Sequence, residues 1–234
     1  MGNFSKFILL SYWIDENTPT YANGPKLKKT TDNSMENGDS CNTCNILTSN
    51  HMGTHVDAPF HFNMNGKRIS DYSINELIFE KPVHVKIIKN AGEWVEEEDI
   101  KKATIAKDCD CLILETGFGK LRGEPIYIEN NPGVSPEAVK ILRTEFRQLR
   151  CIMLDTVSIS GFGDRPQGRE SHKTAFADDD GMGEPLLIVE DANILAIEKE
   201  TKSNTPINRI FLIPWQIKDL DGAPCTVLAE IGVK

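Results

Sequence analysis

Short apolar runs recur along the chain, and acidic or polar residues follow them at once. Residues 111–114, 151–154 and 186–189 are such runs, and the last leads directly into Glu190. Continuous apolar runs of this length predict strands that are buried on both faces. Because helical patterns separate the runs, the sequence predicts an α/β fold in which polar groups gather where the strands end.

Helices are predicted from caps and from apolar periodicity. Ser135 is a candidate N-cap residue before Pro136, and apolar residues then recur at near-helical spacing as far as Leu149. Residues 95–103 predict a short helix whose acidic residues lie toward its positive N-terminal end. Further strands are predicted at residues 7–10, 82–87, 210–215 and 226–233, with His84 on the outward face of the second.

Residues 15–45 form a polar stretch rich in Asn, Thr, Gly and Lys, which predicts a long loop. Cys41 and Cys44 form a lone C-x-x-C pair in this stretch. Without a second pair, two free thiols are favoured over a redox or zinc site. We expect the chain to form one domain over residues 1–234, built on a mixed sheet with flanking helices.

Composition narrows the class of protein. The 234 residues include 35 acidic and 26 basic side chains, so the formal net charge is -9, and 39% of residues are hydrophobic. This hydrophobic content is sufficient for a core. An acidic chain without a stripe of basic residues is poorly suited to binding nucleic acid. No run of 18 apolar residues and no signal peptide is evident, and three of the six cysteines lie in or beside apolar runs. We expect a soluble cytoplasmic protein with no membrane or nucleic-acid partner.

Residues 51–61 carry the candidate chemistry, because His51, His55, Asp57 and His61 all lie within this segment. A zinc-protease helix is disfavoured, since Met52 stands where its glutamate would be and a glycine follows. A straight strand would place His51 and His55 about 13 Å apart, too far for one ion. The chain must therefore bend, and Gly53 permits it. Nitrogen and carboxylate ligands suit Zn²⁺ or Mn²⁺; the alternative is a chance cluster in a surface loop.

The segment matches H-x-G-T-H-x-D-x-P-x-H throughout and so resembles the cyclase family of metal-dependent hydrolases, which includes kynurenine formamidase and isatin hydrolase. Residues 10–19, 114–117, 131–137 and 154–158 resemble further family segments. The resemblance implies a swivelling β/β/α domain, a homodimer or homotetramer, and one or two divalent metal ions per subunit. Zn²⁺ is the expected ion, with Mn²⁺ as the alternative.

The resemblance also implies roles for individual residues. His51, His55 and Asp57 would hold the first metal ion. Asp57 would bridge to a second ion, held by a downstream histidine and glutamate. His172 is the only histidine after residue 84. Glu190 is preferred as the glutamate because it ends a rigid strand, although Glu184 is closer to the family interval.

His61 corresponds to the catalytic histidine of the family. It would take a proton from a water nucleophile and return it to the leaving nitrogen. Many relatives carry an aspartate where this chain has Ser160.

The resemblance points to a small aryl formamide, such as N-formylkynurenine, as the substrate. Trp13 and Phe62 are the preferred aromatic residues for binding it, and the other candidates are Tyr21, Phe60 and Trp94. Two alternatives remain. One is a hydrolase of another small cyclic amide or ester, and the other is a metal-dependent lyase or binding protein with the same ligands.

Overall fold

The computed structural model describes residues 6–201 and 205–232. In this part of the chain a large mixed sheet is flanked by helices. The strands are β1 (Lys6–Leu9), β2 (Lys28–Asn33), β3 (Thr43–Leu47), β4 (His55–Asp57), β5 (Ile78–Phe79), β6 (Pro82–Lys86), β7 (Trp94–Val95), β8 (Cys111–Glu115), β9 (Gly133–Val134), β10 (Cys151–Leu154), β11 (Leu187–Glu190), β12 (Ile207–Pro214) and β13 (Gly222–Ile231). The helices are α1 (Glu97–Lys102), α2 (Pro125–Glu129), α3 (Pro136–Glu145), α4 (Arg165–Phe176) and α5 (Leu195–Glu200).

The main sheet has the strand order β5-β12-β13-β4-β11-β10-β8-β6, and β1 also pairs with β13. Each strand of the run β11-β10-β8-β6 is parallel to its neighbours in that run. In contrast, β4 is antiparallel to both β11 and β13. The short strand β4 thus joins a parallel half of the sheet to an antiparallel half. The predicted α/β class with a mixed sheet is confirmed.

Alternate residues of the central strands pack on opposite faces of the sheet. Ile113 and Met153 belong to one core, which also contains apolar residues of β12 and β13. Leu112, Ile152 and Ile188 belong to a second core, which is covered by α3 and α4. Both faces of the central strands are therefore buried, which explains why their sequences are continuous apolar runs.

Several local predictions need correction. Helix α3 ends at Glu145, four residues before Leu149, because Phe146 leaves the helical conformation as the C-cap residue. The stretch at residues 15–45 is not a simple loop, since β2 and β3 form an exposed hairpin there. The last strand begins earlier than predicted, at Gly222, and position 233 of that prediction lies outside the described residues.

The outward face of β6 is more than a solvated surface. His84 is half-buried and its Nε2 lies 2.8 Å from the buried carboxylate of Glu115 on β8. Lys86 lies 3.4 Å from the same carboxylate. Burial opposes ionisation of Glu115, but the hydrogen bond and charge of His84 lower its pKa. His84 is therefore the partner of a buried charge.

None of the helices in residues 6–201 and 205–232 combines the length and the apolar character that crossing a bilayer requires.

Asp155 lies directly after β10 and binds the segment that follows β8. One carboxylate oxygen accepts hydrogen bonds from the backbone N and the hydroxyl of Thr116, at 2.8 and 2.6 Å. The other oxygen accepts from the backbone N of Gly117 and Gly119, at 2.9 and 3.2 Å. Burial raises the pKa of Asp155, and these donors partly offset the cost of burying the charge.

Replacing Asp155 with Asn should lower the free energy of unfolding by about 2 kcal/mol, because an amide NH₂ would face backbone donors that then lack an acceptor. Urea unfolding followed by circular dichroism measures this change. Asp108→Asn is the matched control, since Asp108 is exposed and lies 3.6 Å from Lys81. We expect the control to stay within about 0.5 kcal/mol of the parent. An Asp155 variant as stable as the control would contradict the assignment.

Candidate metal centre

Two carboxylates and an imidazole share one face of the central strands. His55 and Asp57 lie on β4, two residues apart, and therefore point to the same side. Strand β11 pairs with β4 in the register that sets Glu190 opposite His55. All three side chains are buried, with exposed fractions of 4% or less. Backbone pairing alone thus brings these three polar groups into the interior.

A bend delivers His51 to the same place. Gly53 has φ +62, in the left-handed region that glycine adopts without strain, so the bend predicted from the sequence is present. On the other side of β4, Gly222 leaves the space that His51 and Asp57 occupy. A Cβ atom on Gly222 would lie 2.7 Å from His51 Cε1 and 3.1 Å from Asp57 Oδ1. The site therefore depends on a glycine far from the motif in sequence.

Two of the imidazoles are oriented by backbone carbonyl groups. His55 Nδ1 donates to the carbonyl oxygen of Gly53 at 2.8 Å, and His172 Nδ1, on α4, donates to that of Gly168 at 3.0 Å. The free Nε2 atoms face the carboxylates. His55 Nε2 is 3.4 Å from both Asp57 and Glu190, and His172 Nε2 is 3.6 Å from both. Metal-binding histidines are typically oriented in this way.

Asp221 is a site residue that the sequence reasoning missed. Its Oδ2 accepts hydrogen bonds from His61 Nδ1 at 2.6 Å and from His51 Nε2 at 2.9 Å. Its Oδ1 accepts from the amide of Asn50 at 2.7 Å. In the sequence, Asp221 is followed by Gly222, a pair that reads as a turn before a strand. Only the return of β13 alongside β4 places this carboxylate beside the histidines.

The site attracts positive charge strongly. Burial disfavours protonation of His51, yet the charge of Asp57 and the hydrogen bonds to Asp221 and Asp57 raise its pKa to about 10. Burial also opposes ionisation of Glu190, and the nearby Asp57 charge adds to that effect, but the adjacent imidazoles of His172 and His55 bring its pKa to about 2. The carboxylates therefore stay charged in the interior.

Histidines supply the positive charge. Within residues 6–201 and 205–232, the ion-pair partners of Asp57 and Glu190 are all imidazoles, with no lysine or arginine among them. The neutralising charge can thus be either protons on the rings or a cation that replaces those protons. A donor set of imidazole nitrogens and carboxylate oxygens suits a divalent ion such as Zn²⁺ or Mn²⁺.

The donor atoms form two groups that share Asp57. The ligand atoms of His55, Asp57 and Glu190 lie within 4.8 Å of one another, and so do those of His51, Asp57 and His61. The resemblance grouped His55 with His51, whereas the geometry groups His55 with Glu190. The shared position of Asp57 is the one that a bridging carboxylate would take.

Glu184, the alternative ligand, lies elsewhere. It lines a separate cavity of about 470 Å³ together with Tyr72 and Arg150. Glu190 lies at the end of β11, and its Oε1 also accepts hydrogen bonds from Ser158 Oγ at 3.0 Å and from the backbone N of Ile159 at 2.7 Å. The rigid strand end therefore places Glu190 in the donor cluster, the group formed by His51, His55, Asp57, His61, His172 and Glu190.

A cavity of about 360 Å³ lies above the donor cluster, and Phe62 and Tyr21 are among its lining residues. Trp13, expected to bind substrate, does not line it, because its side chain is 89% exposed. The preceding Tyr12 turns inward instead, where the guanidinium of Arg122 lies 3.9 Å from the centre of its ring. Neighbouring residues of an extended segment face opposite ways, so Trp13 points outward.

The sequence is similar to known proteins over most of its length. A family model described as "Putative cyclase" matches residues 8–160. An uncharacterised protein of Methanocaldococcus jannaschii is 26% identical over 185 residues, which cover 79% of this chain and 80% of that protein. Kynurenine formamidase of Bacillus mycoides is 33% identical over 161 residues, covering 66% of this chain and 73% of the formamidase.

The fold is also found in solved structures. Isatin hydrolase A from Labrenzia aggregata superposes with a TM-score of 0.79 at 20% sequence identity, covering 98% of this chain and 94% of that protein. This similarity establishes a shared fold. The family model covers more than half of the chain, and the motif at residues 51–61 lies inside the matched region. The chain belongs to the putative cyclase family.

Proposed function

We propose that this protein is a metal-dependent hydrolase that cleaves the C–N bond of a small aryl formamide similar to N-formylkynurenine. The observation that carries the proposal is the pair of buried carboxylates, Asp57 and Glu190, faced by the free Nε2 atoms of His55 and His172. The similarity to kynurenine formamidases supports the formamide as substrate.

His51, His55, Asp57, His172 and Glu190 would hold one or two divalent ions. A bound divalent ion would polarise the carbonyl group and make a nearby water more acidic. Glu190 is oriented by Ser158 and Ile159, so its second oxygen remains directed at His55. The orientation of the ligands is therefore set before any ion binds.

His61 is suited to move the proton. Because Nδ1 donates to Asp221 at 2.6 Å, the other ring nitrogen is left as an acceptor. His61 Nε2 takes a proton from the attacking water and delivers it to the leaving nitrogen. Asp221 holds the ring in the required tautomer and stabilises its positive charge. The balanced reaction consumes one water and yields formate and an aryl amine.

A cyclic amide or ester similar to isatin is the second candidate. The observation that favours it is the fold similarity to isatin hydrolase A, which extends over 98% of this chain. The same groups would act, but the opened ring would remain a single product.

An absorbance assay of the metal-loaded protein distinguishes the two substrates. We expect N-formylkynurenine to be hydrolysed with a kcat/KM above about 10⁴ M⁻¹s⁻¹, the lower range of typical enzymes. Isatin should be a poorer substrate by at least tenfold. If isatin is the better substrate, the cyclic amide replaces the formamide as the proposed substrate. If neither compound is hydrolysed, both proposed substrates are rejected.

The Glu190→Gln variant should bind metal at least about a hundredfold more weakly than the parent, because it removes a charged ligand from the buried pair. Glu184→Gln is the matched control, and it should bind metal as the parent does because Glu184 lines a different cavity. Metal content and Zn²⁺ or Mn²⁺ titrations measure both. If metal binding weakens only in the Glu184→Gln variant, Glu184 and not Glu190 is the ligand.

Although His61 belongs to one donor group, its Nδ1 is bound to Asp221, so the His61→Ala variant should keep its metal. It should lose about 10²- to 10⁴-fold in kcat, the usual contribution of a general acid-base group. Asp57→Ala should lose both metal and turnover, because Asp57 belongs to both donor groups. Metal analysis and steady-state kinetics of the two purified variants test this difference. Unchanged turnover in the His61 variant would remove this histidine from the mechanism.

A further inference from the structure

Both acidic and basic side chains line the cavity at the donor cluster. Asp57 and Glu190 line it among the histidines, and Arg165 and Arg169 line it as well. Neither arginine is needed to hold a metal ion or to move the proton of the proposed reaction. Their presence in this cavity therefore calls for a different role.

Helix α4 aligns the two arginines with a member of the donor cluster. Arg165, Arg169 and His172 are spaced at i, i+4 and i+7, so they share one face of the helix. From the rise per residue, the arginines lie about 10.5 and 4.5 Å from His172 along the helix axis. The same face thus carries an imidazole to the metal centre and two guanidinium groups along the cavity wall.

Both arginines are exposed to solvent, and neither has an ion-pair partner within the described chain. The ion pairs found in residues 6–201 and 205–232 do not include Arg165 or Arg169. The acidic residues nearest in sequence are otherwise engaged. Glu170 accepts a hydrogen bond from Lys173 at 2.7 Å, and Asp164 caps the helix by accepting from the backbone N of Gln167 at 3.0 Å.

An aromatic ring positions Arg165 without using its hydrogen-bond donors. The guanidinium carbon lies 5.0 Å from the centre of the Phe162 ring. The Phe162 ring in turn packs edge-on against Tyr21, with 6.1 Å between the two ring centres. Burial raises the pKa of Tyr21, while Arg165 opposes this rise and Glu190 adds to it. The phenol therefore lies within range of charges of both signs.

We propose that Arg165 and Arg169 bind an anionic group of the substrate, most simply a carboxylate, and that the enzyme selects anionic amides over neutral ones. The proposal rests on the proposed amide hydrolysis. The planar guanidinium fork matches the two oxygens of a carboxylate. Because the chain carries a net charge of -9, two unpaired cations at the cavity also counteract the general repulsion of an anion.

A matched pair of substrates tests the selection. N-formylanthranilate and formanilide share the aryl formamide, but only the first has a ring carboxylate. We expect the parent enzyme to prefer N-formylanthranilate by at least about tenfold in kcat/KM. In the Arg165→Met/Arg169→Met double variant this ratio should fall about tenfold to a hundredfold, mainly through a higher KM, because charged hydrogen bonds are lost.

Controls separate binding from folding. Lys173→Met alters a cation of the same helix that does not line the cavity and pairs with Glu170, so the substrate ratio should stay at the parent value. Restoring charge with Arg165→Lys/Arg169→Lys should recover part of the ratio. Equal losses on both substrates in the double Met variant, or an unchanged ratio, would overturn the proposal.

A binding measurement keeps the test independent of turnover. Calorimetric titration of the metal-loaded protein with anthranilate should show binding at least about tenfold weaker in the double Met variant than in the parent. Inorganic phosphate serves as a competitor in this titration. Displacement of anthranilate by phosphate would indicate a phosphate site, and continued binding of anthranilate would indicate a carboxylate site. If neither formamide is hydrolysed but anthranilate binding still depends on the arginines, the amide hydrolysis fails and the anion site stands. Equal anthranilate binding by both proteins would reject the anion site.

Discussion

The attraction of two buried carboxylates for positive charge organises the centre of this protein. Asp57 and Glu190 are held by the pairing of β4 with β11, almost without exposure to solvent. An isolated buried charge costs several kcal/mol, so each carboxylate requires partners. The partners in the structure are imidazoles. In His55 and His172, Nδ1 donates to a backbone carbonyl group, and Nε2 faces the carboxylates. This arrangement is preorganised for a divalent cation.

The fold provides this preorganisation through the junction of its two half-sheets. β4 lies between the antiparallel strand β13 and the edge of the parallel set at β11. From β13 comes Gly222, whose missing side chain makes room for His51, and just before it Asp221, which binds His61. From the parallel half comes Glu190. Groups from distant parts of the chain therefore meet at one short strand.

Features that depend on local pattern could be predicted from the sequence. The buried strands were identifiable because both of their faces are dry, and the bend at Gly53 followed from the reach of the histidines. The β2–β3 hairpin was missed because its side chains are mostly exposed on both faces and give no period-two pattern. Helix α4 offers no long apolar stripe, so its arginines were not associated with the site. Asp221 was missed because only the sheet topology brings it there.

Anomalous diffraction from crystals of the protein loaded with Zn²⁺ or Mn²⁺ shows whether a cation binds between Asp57 and Glu190. A cation that neutralises the buried carboxylates should give an anomalous peak within about 2.0 to 2.2 Å of His55 Nε2 and of oxygens of Asp57 and Glu190. Data recorded at the absorption edge of each metal identify the ion. Metal bound only elsewhere, with these carboxylates still paired only with the histidines, would contradict a cation site here.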